Sequence, residues 1–183
     1  MDEAVLAAMA RWPNVPEVFG WLGLDRRGRW RLRGEPIDHP GLRDFIARNY
    51  AHDERGRYFF QNGPQRVFVT LDYTPWVLRL QGETLLTQCG TPFAEAAQVL
   101  IDENGSVLLA GAGRQVGLID DRDLPELLAC LHDPAGQPPG DDAFEDVDRA
   151  QLTCSLGRRA WPVRAIRSSE LAARFGFIAQ PAD

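Results

Sequence analysis

The chain of 183 residues contains no lysine, and all 20 of its basic residues are arginine. Without lysine it can neither form a Schiff base through a lysine amine nor supply the lysine of a phosphate-binding P-loop. The exclusive use of arginine is typical of a GC-rich coding sequence and indicates a bacterial source. The 26 acidic residues bring the formal net charge to −6. Nucleic-acid binding depends on a basic surface and is therefore not expected.

Cysteine and histidine are both scarce, with three residues of each. Cys89, Cys130 and Cys154 lie far apart, and no zinc-binding spacing occurs, so we predict no metal site and no cofactor. Unpaired cysteines are typical of the reducing cytoplasm. No apolar run reaches the roughly 18 residues of a membrane span. Asp2 and Glu3 stand where a signal peptide would be positively charged. These features predict a cytoplasmic protein without membrane association.

Two sequence patterns recur along the chain. The pattern Ile-x-x-x-x-Leu begins at Ile37, Ile119 and Ile166, each time after a short apolar stretch. An Asp-x-x-Gly turn precedes the first two copies, at Asp25 and Asp102. A hairpin followed by a capped helix is therefore the predicted building unit. The long separation of the two turns suits two half-domains rather than a solenoid repeat.

The predicted fold is α+β, with two similar half-domains and an N-terminal helix. Each half is expected to be a curved antiparallel sheet with one packed helix. The halves are assigned to residues 18–80 and 83–183 of a single compact domain. A loop rich in proline, glycine and acidic residues covers 132–143. Asp38 and Asp120 are predicted to cap the helices of the two halves.

Five polar side chains are candidates for binding a ligand: Arg29, Arg31, Asn62, Gln65 and Arg66. Two of them, Arg29 and Arg31, alternate with apolar residues, which places both guanidinium groups on one face of a strand. Guanidinium binds phosphate and carboxylate through paired hydrogen bonds, so an anion site near all five side chains is predicted in the cleft between the halves. A solvated strand face whose charges protect a sheet edge is the alternative.

The other three candidates follow a run of aromatic residues, which suggests a ligand held above an apolar floor. The alternative is that Asn62 and Gly63 form only a hairpin turn and that Gln65 and Arg66 are exposed.

These features favour a non-catalytic module that binds a ligand or a partner in regulation, with an anionic small molecule as the preferred ligand. One alternative is a structural homodimer subunit with an exposed apolar patch. Another is a hydrolase that uses Asp72, His52 or a cysteine, which requires two such groups within hydrogen-bond reach. Asp72 is also placed to orient Arg66 or Arg79, or to form a local turn.

The first half resembles a family of proteobacterial proteins known only as a domain of unknown function. The resemblance rests on Gly28-Arg29-Trp30 through Gly34-Glu35-Pro36-Ile37, on the turn Asp53-Glu54-Arg55-Gly56-Arg57-Tyr58, and on Pro64-Gln65-Arg66-Val67-Phe68-Val69. It covers residues 20–80. The resemblance implies a fold of repeated hairpin-and-helix motifs and a role in signal transduction. The family has no established catalytic residues, so it implies none here.

Overall fold

The computed structural model describes residues 1–12, 16–93 and 95–182. The N-terminal part contains α1 (Glu3–Arg11), β1 (Val18–Leu24), β2 (Trp30–Leu32), β3 (Glu35–Pro36), α2 (Pro40–Arg48), β4 (Tyr50–His52), β5 (Tyr58–Asn62) and β6 (Gln65–Leu71). The C-terminal part contains β7 (Trp76–Gln81), β8 (Thr84–Thr87), β9 (Gln98–Asp102), β10 (Val107–Ala110), β11 (Val116–Ile119), α3 (Leu124–Leu128), β12 (Leu131–His132), α4 (Val147–Ala150), β13 (Thr153–Leu156), β14 (Arg159–Ile166) and α5 (Leu171–Phe175).

The strands form two sheets of the same connectivity. The first has the order β3-β2-β1-β6-β5-β4, and the second contains the matching order β11-β10-β9-β14-β13-β12. In each repeat the first strand pairs in parallel with the last, β1 with β6 and β9 with β14. The predicted α+β fold of two similar halves is confirmed. Each sheet is mixed rather than purely antiparallel, because the last strand of the repeat returns beside the first.

The hairpin of β7 and β8 distinguishes the second repeat from the first. β7 pairs with β8 and, in parallel, with β11, so it belongs to the second sheet. The sequence interpretation had placed β7 in the first half and β8 in the second. The matched parts of the chain are therefore 18–71 and 98–166. Among the described residues, the corresponding edge of the first sheet, at β3, carries no further strand.

Four loops that follow strands share one hydrogen-bonded structure, and they begin at Asp25, Asp53, Asp102 and Asp133. In each loop the aspartate Oδ1 accepts the backbone N–H groups two and four residues later. A glycine at the fourth position has a positive φ. The carboxylate satisfies two backbone donors that the turn would otherwise leave unpaired. The copy at Asp133 begins the predicted 132–143 loop and was not recognised in the sequence.

The helix caps differ from the prediction. Nδ1 of His39 accepts the N–H of Leu42 at 3.2 Å, so His39 caps α2 in place of Asp38. The Asp120 carboxylate accepts the N–H of Arg122 at 3.0 Å, and α3 begins four residues after Asp120. α2 begins one residue later than a cap at Asp38 would place it, and a turn over residues 121–123 delays the start of α3.

An apolar core joins the two sheets. One cluster of buried side chains combines Leu24 and Val69 of the first sheet with Leu108 and Leu118 of the second. Each such side chain contributes roughly 1.5–3 kcal/mol by its burial. A second cluster lies on the other face of the second sheet, under α3 and α4. In the described part of the chain, no helix has the length and apolar character needed to cross a membrane.

Candidate functional site

Arg29 and Arg31 bind the same carboxylate. Nε of Arg29 lies 2.7 Å from Oδ2 of Asp25, and Nη2 of Arg31 lies 3.1 Å from the same oxygen. Arg31 also reaches Oδ2 of Asp72, at 3.0 Å. The partner of Asp72 is therefore Arg31, not Arg66 or Arg79. Arg29 and Arg31 are therefore already paired with a carboxylate of their own chain.

The Asp25 carboxylate is buried, with 2% of its side chain exposed. Burial alone would raise its pKa, but hydrogen bonds from the backbone and side chain of Arg29, from the backbone of Arg27 and from the side chain of Arg31 outweigh this effect. The pKa of Asp25 therefore lies below its ordinary value. Arg29 is held through Nε, and 59% of its side chain remains exposed. Asp25 thus orders the Arg29 side chain and leaves more than half of it accessible to solvent.

The five predicted residues divide between the two ends of β1. Arg29 and Arg31 flank its final residue, Leu24, whereas the hairpin 62–66 lies beside its first residue, Val18. Six residue steps at about 3.3 Å separate the two ends by roughly 20 Å. One small ligand therefore cannot contact all five side chains.

Arg66 covers an aromatic surface together with Arg57. Arg66 lies 4.9 Å from the Phe59 ring centroid, and Arg57 lies 4.3 Å from that of Phe68. Both guanidinium groups also approach Glu17, at 3.8 and 3.6 Å. Cation–π contacts and one carboxylate thus account for the position of Arg66.

Asn62 and Gln65 form the last pair of their hairpin. Asn62 is exposed. Nε2 of Gln65 donates to the Pro16 carbonyl at 3.3 Å. The Asn62-Gly63 turn of the alternative interpretation agrees with this geometry, but Gln65 and Arg66 are half-buried rather than exposed.

A cavity of about 370 Å³ lies beside Arg29, where the first half meets the segment after β8. It is formed by residues 28–30, 36–38 and 88–90 and by Arg43, Asp44 and Ala47 of α2. We name it the β3–α2 cavity. Its inner wall includes the buried ring of Trp30, and its charged side chains are exposed. Of the five predicted residues, Arg29 alone lines it.

Four charged side chains surround the β3–α2 cavity: Arg29, Asp38, Arg43 and Asp44. In the part of the chain that the structure describes, only Arg29 has an ion-pair partner. The cavity therefore presents guanidinium donors and carboxylate acceptors together. Burial raises the pKa of the Cys89 thiol, which also lines the cavity, to about 12. This thiol is neutral near pH 7 and is not an activated nucleophile.

Sequence reasoning missed Arg43. Its signal was present in the helical spacing, because residues 43, 44 and 47 share one face of α2. The contribution of Gln88 could not be read from the sequence. Its amide accepts the Val77 N–H at 2.9 Å and donates to the Pro75 carbonyl at 3.1 Å, which fixes the turn that closes the cavity.

A second cavity, of about 340 Å³, is lined by His52, Tyr58 and Arg114 among others. An aromatic cluster lies between the two cavities, with ring centroids 5.0 Å apart for Trp30 and Tyr50 and 5.4 Å apart for Tyr50 and Tyr58. Burial raises the pKa of Tyr58 to about 12, so its hydroxyl stays protonated. The cluster is packing at the seam of the two halves and separates the cavities.

The loop that begins at Asp25 connects the two halves through polar contacts. Nε and Nη2 of Arg27 donate to Oδ2 of Asp121 at 3.1 and 2.6 Å. Nη2 of Arg26 donates to Oγ of Ser106 at 2.7 Å. Ser106 lies in the equivalent loop of the second repeat. The loop that supplies Arg29 to the cavity therefore also rests on the second half.

The structure does not assemble the predicted hydrolase groups. Asp72 binds Arg31, while Nδ1 of His52 lies 3.0 Å from the Asp53 carbonyl. A serine–histidine contact occurs elsewhere, with Nε2 of His132 at 2.8 Å from Oγ of Ser155 on the neighbouring strand. The other ring nitrogen of His132 faces a backbone carbonyl rather than a carboxylate. No cluster of three metal-ligating side chains occurs within 1–12, 16–93 and 95–182.

Two copies of one hairpin–helix–hairpin unit, joined through a shared core, define a duplicated α+β protein. The chain belongs to the family described as "Protein of unknown function (DUF2946)", whose model matches residues 1–182. This agrees with the predicted membership of a family of unknown function. No curated protein matches the sequence.

Solved structures of another uncharacterised family are similar to this chain. A DUF1285 family protein from Silicibacter pomeroyi DSS-3 has a TM-score of 0.54 and 16% identity, over 81% of this chain and 82% of that one. A DUF1285 family protein from Shewanella baltica OS155 has a TM-score of 0.45 and 17% identity, over 60% of this chain and 91% of that one. The first likeness supports the fold, and the identity is too low to transfer a function.

Proposed function

We propose that the protein is a non-catalytic binding module that takes an anionic small molecule in the β3–α2 cavity. The observation that carries this proposal is the pair of exposed guanidinium groups, Arg29 and Arg43, beside the buried wall of Trp30. Guanidinium binds carboxylate and phosphate with two parallel hydrogen bonds. The cavity volume lies within the range typical of small-ligand pockets.

The preorganisation of Arg29 supports the same proposal. Because Asp25 already orders this side chain, a ligand does not have to immobilise it. Arg43 makes no ion pair with the described residues and is available to the same anion. The two guanidinium groups therefore supply one fixed and one adaptable contact.

The proposal includes a regulatory role in the bacterial cytoplasm. Its support is the resemblance of residues 20–80 to a family linked with signal transduction, together with the position of the Asp25 loop. That loop borders the cavity and contacts Ser106 and Asp121 of the second half. Ligand binding would thus affect the contact between the two halves.

Isothermal titration with inorganic phosphate and with citrate tests the binding site. Arg43→Gln should weaken binding roughly tenfold, since a hydrogen bond to a charged group contributes about 1.5 kcal/mol or more. Arg55→Gln removes an exposed arginine outside the cavity and should leave the affinity unchanged. Failure of both anions to bind the wild-type protein, or equal loss in the two variants, would overturn the proposal.

A homodimer is the second candidate, and exposed tryptophans favour it. Trp12 and Trp21 are 61% and 49% exposed. Aromatic side chains are enriched at protein–protein interfaces. Sedimentation equilibrium should then give twice the chain mass, and Trp21→Ser should return it to the monomer. A monomeric wild-type protein at every concentration would exclude this candidate.

A further inference from the structure

We infer that the anion bound in the β3–α2 cavity is the acidic side chain of an extended peptide, which adds to the free edge of β3 as β7 adds to β11. This inference rests on the proposed function, because it names the ligand class for the same cavity. It comes from comparing the two repeats at the sheet edge that β7 extends in the second repeat.

The two repeats are equivalent at this edge. Ile37 and Ile119 begin the repeated Ile-x-x-x-x-Leu pattern, so Pro36 corresponds to Leu118 and Asp38 to Asp120. In the second repeat the edge is occupied: β7 lies in parallel beside β11, and the Asp120 N–H donates to the Leu78 carbonyl at 3.0 Å.

The β3–α2 cavity borders the part of the first repeat whose counterpart contacts β7 in the second. Residues 36–38 line the cavity. Their counterparts, residues 118–120, contact β7, because Leu118 pairs with Val77 and the Asp120 N–H donates to the Leu78 carbonyl. Asp123, which corresponds to Gly41, also binds β7, where it accepts the Leu80 N–H at 2.8 Å and Nε–H of Arg79 at 2.6 Å. Residues 36–38 therefore border a cavity, whereas their counterparts border a strand.

The edge of β3 can hydrogen-bond a short extended segment. The Ile37 N–H points to β2, where it donates to the Trp30 carbonyl. Backbone groups alternate in direction along a strand, so the Pro36 carbonyl and the Asp38 N–H point away from β2 toward the open edge. Pro36 has no N–H, which limits the ladder to these two groups. Such a short edge accepts a peptide and resists extended sheet aggregation.

The charges around the cavity match a peptide better than a free phosphate. Arg29 and Arg43 suit an acidic side chain, and the nearby Asp38 and Asp44 make a compact multivalent anion a weaker ligand than a peptide. Peptide N–H groups offer donors to those two carboxylates. Strand addition of this kind takes its affinity from backbone hydrogen bonds and its specificity from side-chain pockets.

A phage-displayed library of random octapeptides, selected on the purified protein, tests this inference. We expect enrichment of peptides with an acidic residue. Fluorescence anisotropy with the most enriched peptide should give roughly tenfold weaker binding to Arg43→Gln. Pro36→Val restores an outward N–H and should bind about fivefold more tightly, the gain from one backbone hydrogen bond. Glu35→Val is the matched control, because it adds the same side chain without an edge donor, and its affinity should not rise.

The result separates this inference from the proposed function when phosphate and citrate are titrated against the same variants. Anion binding that depends on Arg43, without enrichment of acidic peptides, would overturn the peptide inference and leave the binding module intact. Peptides that bind wild type, Arg43→Gln and Pro36→Val alike would also overturn it. If neither anions nor peptides bind, both proposals are wrong.

Discussion

Pro36 and Leu118 occupy the same position in the two repeats, and only Leu118 can donate a backbone hydrogen bond across the sheet edge. The Leu118 N–H reaches Oγ1 of Thr74 at 3.1 Å, just before β7 extends the sheet. In the first repeat the proline removes that donor. The two repeats therefore differ at this position, where the edge with leucine is extended by β7 and the edge with proline is open. The candidate site lies beside the open edge.

Glycine at the fourth position of the aspartate loops should matter most at Gly56. Its φ is +79°, and a Cβ there would lie 1.9 Å from the Gly176 carbonyl oxygen. Gly105 has the same role and a φ of +75°, but open space surrounds it. We expect Gly105→Ala to cost about 1–2 kcal/mol of unfolding free energy, the left-handed penalty alone. Gly56→Ala should cost more than 3 kcal/mol, because backbone must also move. Urea unfolding measures both, and equal losses would contradict the contact with Gly176.

Replacing the loop aspartates should separate turn formation from charge pairing. Asp25→Asn should destabilise the protein by about 1–3 kcal/mol, because its buried amide turns a donor toward Arg29 and Arg31, where the carboxylate accepted from both. Asp133→Asn keeps an oxygen for the turn and has no arginine partner in the described chain, so it should cost less than about 1 kcal/mol. Chemical denaturation of the two variants tests this order. Similar losses would mean that the arginines do not depend on Asp25.

Acid should lower the free energy of unfolding because it protonates Asp120. Burial alone would raise the pKa of this carboxyl, but hydrogen bonds from the side chain and backbone of Arg122 dominate and lower its pKa to about 2. A pKa that is lower in the folded state stabilises the fold above the unfolded pKa of roughly 4. This contribution, about 2 kcal/mol, is lost as the pH falls from about 4 toward 2.

Unfolding free energies of wild type and Asp120→Asn between pH 7 and pH 2 test the acid dependence. The curves should converge as the pH falls, because the variant lacks the titrating carboxyl. The pKa values of Asp25 and Asp123 are also lowered, by hydrogen bonds that outweigh the effect of burial, so both curves should still decline in acid. A constant difference between the curves would contradict the role of Asp120.

The contact between Arg27 and Asp121 should contribute little to stability in spite of its short distance. Their side chains are 53% and 54% exposed, and exposed pairs typically contribute less than about 1 kcal/mol. A double-mutant cycle with Arg27→Gln and Asp121→Asn should give a coupling of about 0.5 kcal/mol that high salt removes. A salt-independent coupling several times larger would indicate a rigid clamp between the halves.

The repeat could be predicted from the sequence because its signals are local. Asp25 and Asp102 begin turns whose hydrogen bonds lie within a few residues. Ile37 and Ile119 lie shortly before the two helices. The parallel pairing of β1 with β6 could not be predicted, since it joins segments more than 40 residues apart and depends on the whole sheet. The pairing of β7 with β11 could not be predicted for the same reason.

The candidate site was only partly predictable. Arg29 was identified from strand alternation, and its alternation with Arg31 correctly placed both guanidinium groups on one side. The pairing of both with Asp25 could not be foreseen, because a turn aspartate and a strand arginine carry no signal of mutual contact. Asn62 and Arg66 were grouped with them on composition, and composition contains no information about which end of a sheet a hairpin reaches.

The aspartate loops leave the side chains of two positions in each turn without a part in closing it. These positions carry Arg26-Arg27, Glu54-Arg55, Glu103-Asn104 and Pro134-Ala135. Because the carboxylate and the glycine alone determine the turn, the intervening pair can change from basic to acidic to neutral while the chain keeps its path. The protein thus has four equivalent dipeptide positions in its turns. Exchanging the dipeptides among them would change the surface charge and leave the core unchanged.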